Sequence, residues 1–267
     1  MVDPRASESS GRPHIREEGQ APARAVILAG GMGTRLAPFT SVLPKPLMPI
    51  GDRAILELVV DQLAAHGLRE ITFCVGYLAH LIRAVFDATS NRSVSIEYVL
   101  EERALGTAGP LQLVSDLDDT FLVMNGDVLT TIDYGDLIRH HRAAGNTVTI
   151  AAHQRTIKVD YGVLELDGGL GDCRPVHGYI EKPEMESKVS MGIYVVEPRA
   201  LDYVPRGEFF DFPDLVLALL AAGEPVGAYV FDGLWFDIGR VDDYQLANTA
   251  WLDMETGSRI PEYGTRG

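Results

Sequence analysis

Three glycines, one arginine and one lysine near the N-terminus are the residues of this chain best suited to handling phosphate. The apolar run Ala25-Val-Ile-Leu-Ala29 leads into a turn with Gly30, Gly31 and Gly33. Thr34-Arg35-Leu36 follows, and then Leu43-Pro-Lys-Pro-Leu-Met-Pro49. Glycines let the backbone approach an anion closely and aim several N–H groups at it, while Arg35 and Lys45 add fixed positive charge. The arrangement suits a polyphosphate. It is neither the G-x-x-x-x-G-K-[ST] loop of ATPases nor a G-x-G-x-x-G, because Leu36 stands where the last glycine belongs.

Two aspartates each follow an apolar, strand-like run: Asp127 in Met124-Asn-Gly-Asp127 and Asp237 in Leu234-Trp-Phe-Asp-Ile-Gly239. A carboxylate there can hold Mg²⁺, which takes one or two carboxylates plus phosphate oxygens. It can equally cap a turn. Taken alone, Glu181-Lys182-Pro183 reads as a solvated turn, and the neighbours Glu101 and Glu102 read as surface charge. His140 and His141 close a helix, where imidazoles interact favourably with the last carbonyls. His177 has no acid partner or metal spacing nearby, and Met185 and Met191 read as packing residues. No Gly-x-Ser-x-Gly or His-Glu-x-x-His string supports a hydrolase or a zinc protease.

These residues sit on an alternation of elements. Residues 1–23 are polar and rich in Pro, Gly and Ser, and read as a disordered tail. Ala25–Ala29 is a buried strand. Asp52 caps a helix carrying Ile55, Leu58, Val59 and Leu63 at helical spacing, and Gly67 ends it. Strands then fall at Ile71–Val75, Val94–Leu100, Phe121–Asn125 and Val148–Ala152. Helices fall at Leu81–Phe86, Ala108–Val114 and Leu137–Ala144, the last stopped by Gly145. This order implies right-handed crossovers onto a mostly parallel sheet, with ligands beyond the carboxyl ends of the strands.

From about residue 153 the strands are shorter: Tyr161–Leu166, Tyr179–Glu181 and Val189–Val196. A helix at Phe212–Ala222, strands at Gly227–Phe231 and Leu234–Ile238, and a helix around Val241–Trp251 complete the pattern. No repeat occurs at any period.

With 267 residues, 46% of them hydrophobic, the chain has ample material for one large α/β domain. The formal net charge is −15 and no lysine/arginine run occurs, which argues against a nucleic-acid surface. An acidic protein with anionic substrates must concentrate its cations locally or borrow charge from a metal. No apolar stretch approaches the ~20 residues of a membrane span, and the first ten residues lack an apolar signal region. Cys74 and Cys173 have no metal spacing and read as free thiols of a cytoplasmic protein.

The string from Leu28 to Pro49 resembles the signature of sugar-1-phosphate nucleotidyltransferases. Leu105-Gly-Thr-Ala-Gly109, Asn125-Gly-Asp-Val-Leu129, Glu181-Lys-Pro183 after Tyr161-Gly-Val163, and Trp235-Phe-Asp-Ile-Gly239 follow in the family's order. The resemblance covers residues 25 to about 250. It implies a Rossmann-like, mostly parallel mixed sheet flanked by helices, with a smaller β-rich subregion for the sugar. The expected organisation is a single catalytic domain over 24–253, with a nucleotide-binding half (24–152), a sugar-binding half (153–253) and a C-terminal tail (254–267).

The resemblance also implies roles. Leu28, Ala29, Gly30, Gly31, Gly33, Thr34, Glu101, Gly106 and Thr107 would bind the nucleotide. Asn125, Gly162, Glu181, Lys182 and Ser190 would meet the sugar phosphate. Asp127 and Asp237 would share Mg²⁺, and Arg35, Lys45 and Lys182 would be the catalytic cations. A phosphate oxygen of the sugar-1-phosphate would attack the α-phosphorus of a nucleoside triphosphate, and pyrophosphate would leave. Glu101, five residues before Gly106, stands about where the family reads the base edge. An ionised carboxylate only accepts hydrogen bonds, so it pairs with the adjacent N1–H and N2–H₂ of guanine, which favours GTP; a shift of one residue would put Glu102 in this role instead.

The best-matching subset resembles mannose-1-phosphate guanylyltransferases. Ser190-Met191 nevertheless replaces its usual small polar pair ahead of Gly192-Ile-Tyr194. That points away from mannose and leaves a modified hexose, a heptose or a cyclitol phosphate. The alternatives are thymidylyl-, cytidylyl- or uridylyltransfer to a hexose-1-phosphate, and a non-catalytic regulatory subunit that binds sugar nucleotides. Relatives of this kind are often dimers or tetramers, so a homodimer and a homotetramer both stay open, and the sequence does not decide the oligomeric state.

Overall fold

A computed structural model describes residues 24–88, 93–168, 173–239 and 241–255. The expected tails, residues 1–23 and all but the first two residues of 254–267, lie outside the described residues. The first half of the chain forms β1 (Arg24–Ala29), β2 (Pro49–Ile50), β3 (Arg53–Ala54), α1 (Ile55–Ala65), β4 (Glu70–Val75), α2 (Ala79–Asp87), β5 (Ser95–Leu100), β6 (Phe121–Asn125), β7 (Val128–Thr130) and α3 (Tyr134–Ala144). The second half forms β8 (Val148–Lys158), β9 (Val163–Leu166), β10 (Val176–Ile180), β11 (Glu184–Val196), α4 (Phe212–Ala221), β12 (Val226–Phe231), β13 (Trp235–Asp237) and α5 (Val241–Glu255).

Seven strands make one sheet in the order β12-β8-β11-β6-β1-β4-β5. All neighbours are parallel except β11, which is antiparallel to both β6 and β8. The expected mixed, mostly parallel sheet is thus the observed one. Alternate residues of β1 separate two apolar layers. Ala25 and Ile27 pack with α1, α2, α3 and α5, whereas Val26 packs with α4 through Phe212, Leu215 and Leu219. A near-continuous apolar strand covered on both faces is what a central parallel strand requires. Among the described residues no helix is long and apolar enough to cross a membrane.

Several local expectations need correction. Asp52 does not cap α1. Pro49↔Ala54 and Ile50↔Arg53 pair as a tight hairpin, which places Gly51-Asp52 in its turn. The helix starts instead at Ile55, where Glu57 accepts the Ala54 N–H at 3.1 Å. Ala108–Val114 is not an α-helix but a 3-10 turn over Gly109–Leu113. The N–H groups of Ala108 and Gly109 both donate to Phe210 O at 2.9 Å, so the segment is tied across the molecule.

β8 and β11 are longer than expected because their ladder continues from Ala152↔Ser190 out to Lys158↔Glu184, with Lys158 Nζ 2.7 Å from Glu184 Oε1. The outer half of this hairpin is exposed, so it lacks the apolar alternation that marks a half-buried strand. Met185 lies there and is exposed, contrary to a packing role, whereas Met191 is buried. His177 does have an acid partner, Asp167 Oδ2 at 3.1 Å across the β9–β10 ribbon. His141 is more than a helix-end residue. It is buried, with Nδ1 2.8 Å from Thr149 Oγ1 and Nε2 2.9 Å from Glu197 Oε1.

Candidate active site

The carboxyl ends of β1, β5 and β6 open on a cleft of about 400 Å³. Register puts Leu28 beside Asn125, and Gly126 N donates to Leu28 O at 2.9 Å, so the loops after β1 and β6 emerge together. Gly33 turns the first loop with φ of +62°, and Thr40 Oγ1 donates to Gly33 O at 2.9 Å. Gly30 has a different reason to lack a side chain: a Cβ there would collide with the Glu101 carboxylate.

Leu28, Ala29, Gly30, Gly31, Gly33, Arg35, Lys45, Glu101, Gly106, Thr107, Asn125 and Asp127 all line the cleft. Thr34 lies in the 3-10 turn Thr34–Leu36 and is not part of the wall.

At the floor, the Lys45 ammonium contacts the Asp127 carboxylate and stands 4.0 Å from Asp237 Oδ1. Asp237 reaches this point because β13 pairs with β7, with Asp237 opposite Val128 and Ile238 N donating to Asp127 O at 3.2 Å. Side-chain exposure falls from 44% at Asp237 to 16% at Asp127 and 11% at Lys45. Burial therefore pushes the Asp127 carboxyl up; Lys45 pulls it down and Asp237 pushes it up further. Arg35 packs beside the same segment, its guanidinium about 3.5 Å from where a Cβ on Gly239 would lie.

Two converging carboxylates with a shared cation are a hard, all-oxygen donor set, which fits an ion that takes its remaining ligands from phosphate and water. No group of three or more His, Cys, Asp or Glu side chains able to hold a metal occurs among the described residues.

Glu101 N donates to Val75 O at 2.8 Å, and the side chain's Oε2 lies 3.4 Å from Leu105 N. Burial pushes its carboxyl up, with the Leu105 N–H acting in the opposite sense.

Four wall residues were missed in the sequence: Pro46, Ala104, Phe209 and Asp211. Asp211 Oδ1 accepts from both Thr107 N (2.9 Å) and Thr107 Oγ1 (3.0 Å). Thr107 Oγ1 in turn accepts from Phe212 N at 2.8 Å. With Phe210 N donating to Leu105 O at 2.9 Å, the loop carrying Gly106 is clasped to the start of α4. The only local signal was Asp211-Phe-Pro-Asp214, a helix-start pattern that speaks of capping and not of a cleft.

The expected sugar-side residues do not join this wall, Asn125 excepted. Gly162, Glu181, Lys182 and Ser190 all lie outside it. Tyr179 OH donates to Glu181 Oε2 at 2.5 Å, and a Cβ on Gly162 would collide with that same phenol. Lys182 holds a left-handed backbone, φ 45°, in the turn between β10 and β11. Ser190 Oγ is 3.2 Å from Tyr194 OH, whose ring stacks on Phe212 at 3.8 Å between centroids.

At the carboxyl edge of this Rossmann-like sheet the glycine loop thus stands beside Lys45 and Asp127, with Asp237 next to them. The chain belongs to the sugar-1-phosphate nucleotidyltransferase family, and residues 24–254 match the nucleotidyl transferase family. It is 34% identical over 252 residues to a UTP–glucose-1-phosphate uridylyltransferase of Synechocystis, covering 87% of this chain and 64% of that protein. To a mannose-1-phosphate guanyltransferase of Candida albicans it is 32% identical over 252 residues, covering 90% and 67%. The chain thus spans about two thirds of the length of the curated relatives it matches. The crystal structure of HddC from Yersinia pseudotuberculosis superposes with a TM-score of 0.67 at 24% identity, covering 86% of this chain and 100% of that one.

Proposed function

We propose that this chain transfers a guanylyl group from GTP to a sugar-1-phosphate or sugar-like phosphate, releasing pyrophosphate. The reading rests on one juxtaposition: Lys45 and Asp127 meet in the wall of the glycine-loop cleft, and Asp237, which is not itself part of that wall, stands 4.0 Å from the Lys45 ammonium. A phosphomonoester's second pKa is near ~6, so the attacking oxygen is already largely anionic at neutral pH and needs no protein base. The P–O bond to the sugar phosphate forms in line as the α–β bond breaks, and the electron pair leaves with pyrophosphate.

What the protein must do is hold two mutually repelling anions and meet the charge that shifts to the leaving group. Arg35 grips the β,γ-phosphates, Lys45 neutralises charge near the reacting centre, and Lys182 anchors the sugar phosphate. Asp127 and Asp237 would hold Mg²⁺, whose charge, when bound, stabilises the α-phosphate oxygens.

Glu101 supports guanine, since a carboxylate oriented by Leu105 N–H offers acceptors to N1–H and N2–H₂. Uridylyl transfer is the second reading, favoured by the 34% identical relative that uses UTP by name. Pyrophosphate release from GTP, dTTP, CTP, UTP and ATP, each with a panel of sugar phosphates, separates the two. GTP is expected to be fastest, and an inactive GTP refutes the guanylyl assignment. The Ser190-Met191 pair makes a modified hexose, heptose or cyclitol phosphate the expected acceptor.

A further inference from the structure

We propose that Phe209 is the base-stacking residue of the cleft, presented there by the clasp between the Gly106 loop and α4. The inference rests on the nucleotidyltransferase reading above. Phe209 is 61% exposed and lines the cleft. Its exposure does not come from a free loop. The following residue, Phe210, donates to Leu105 O and accepts from Ala108 and Gly109, all at 2.9 Å, and Asp211 then holds Thr107. The chain next to Phe209 is tied down while its phenyl ring is left in water, where it forgoes the gain from burying its apolar area.

The cleft has two kinds of wall. The loops after β1 carry the cations Arg35 and Lys45, whereas the loops after β5 and before α4 carry Glu101, Ala104, Gly106 and Phe209. A nucleoside triphosphate has two matching parts, one polyanionic and one flat and aromatic. The ring serves the base and not the sugar: of the residues expected on the sugar side only Asn125, at the end of β6, reaches these walls, whereas Gly162, Glu181, Lys182 and Ser190 stand outside them. Stacking on a π-face is tolerant of base identity, so Phe209 supplies affinity while hydrogen bonding by Glu101 discriminates.

The test is direct binding by calorimetry to full-length wild type, Phe209→Ala and Phe209→Tyr. The probes are the tightest-binding of GTP, dTTP, CTP, UTP and ATP, and inorganic tripolyphosphate. Phe209→Ala is expected to weaken the nucleotide roughly 5- to 100-fold and to leave tripolyphosphate unchanged, with Phe209→Tyr close to wild type. Nucleotide affinity in Phe209→Ala within about twofold of a wild type that binds normally overturns the stacking role alone. So does an equal loss for nucleotide and tripolyphosphate, which reports damage to the wall. A wild type that binds none of the five nucleotides overturns the nucleotidyltransferase reading, and Phe209 stacking with it.

Discussion

Lys45 and Asp237 stand 4.0 Å apart on segments almost two hundred positions distant in sequence, and they meet only because both close on Asp127. Removing either one should therefore cost the same reaction but different amounts of stability. Lys45→Ala and Asp237→Ala should each lower turnover by at least ~10²-fold, the loss expected of one preorganised charge contact. Lys45→Ala should also destabilise the fold by about 2–3 kcal/mol, since it leaves a mostly buried carboxylate unpaired. Asp237→Ala relieves Asp127 of a like charge and should leave stability nearly unchanged. Pyrophosphate release and urea unfolding on the same preparations check both halves. Near-wild-type turnover in both variants would refute the assignment.

Glu101→Gln keeps the shape of the side chain but replaces one acceptor with a donor. If the carboxylate reads guanine, kcat/KM for GTP should fall by about 10- to 100-fold, the worth of a hydrogen bond to a charged group. The value for UTP should hold or rise. Equal losses for both nucleotides would mean that Glu101 shapes the cleft without reading the base.

Asp211→Ala strands two donors of Thr107 at once, its N–H and its hydroxyl. We expect the Gly106 loop to loosen, the KM for nucleotide to rise, and stability to fall by about 2 kcal/mol. Asp211→Asn retains an acceptor oxygen and should recover most of both. An unchanged KM in Asp211→Ala would separate the clasp from nucleotide binding.

Burial pushes the His141 imidazole below its usual 6.5; Glu197 opposes the fall, and Arg142 and Arg199 add to it. Between 6.5 and that lower value the unfolded chain takes up a proton that the folded protein refuses. The stability held by the neutral ring is thus complete above about pH 6.5 and is lost as pH drops toward the folded pKa. Tm measured by calorimetry should decline across that interval, and His141→Gln should decline less steeply. Parallel profiles would remove His141 as the cause.

The parts of the fold and cleft that were legible in the sequence follow from local chemistry. The glycine loop after β1 needs only its own residues to turn, and a five-residue apolar run, β-branched at its centre and stopped by Gly30, is too short for a helix and reads as a buried strand. The outer β8–β11 ladder was hidden because exposed strands such as Glu184–Lys188 carry no apolar rhythm. Phe209 and Asp211 were hidden for another reason. Their place in the cleft is created by backbone bonds from Phe210 to Leu105, Ala108 and Gly109, and main-chain groups leave no trace in residue type. Asp52 misled because an aspartate before an apolar helix looks the same whether it caps that helix or turns a hairpin.

The single reversed strand, β11, has an effect on how this protein could be altered. By running against β6 and β8 it sends β8 and β12 the same way as β1, β4, β5 and β6, so every parallel strand points its carboxyl end at one rim. At the opposite rim Glu197 Oε1 accepts from Thr120 Oγ1 and lies 2.9 Å from His141 Nε2, whose Nδ1 is 2.8 Å from Thr149 Oγ1, and none of these described residues lines the cleft. Thermal hardening, affinity tags or surface tethers belong on that quiet side, where redesign can proceed without disturbing turnover.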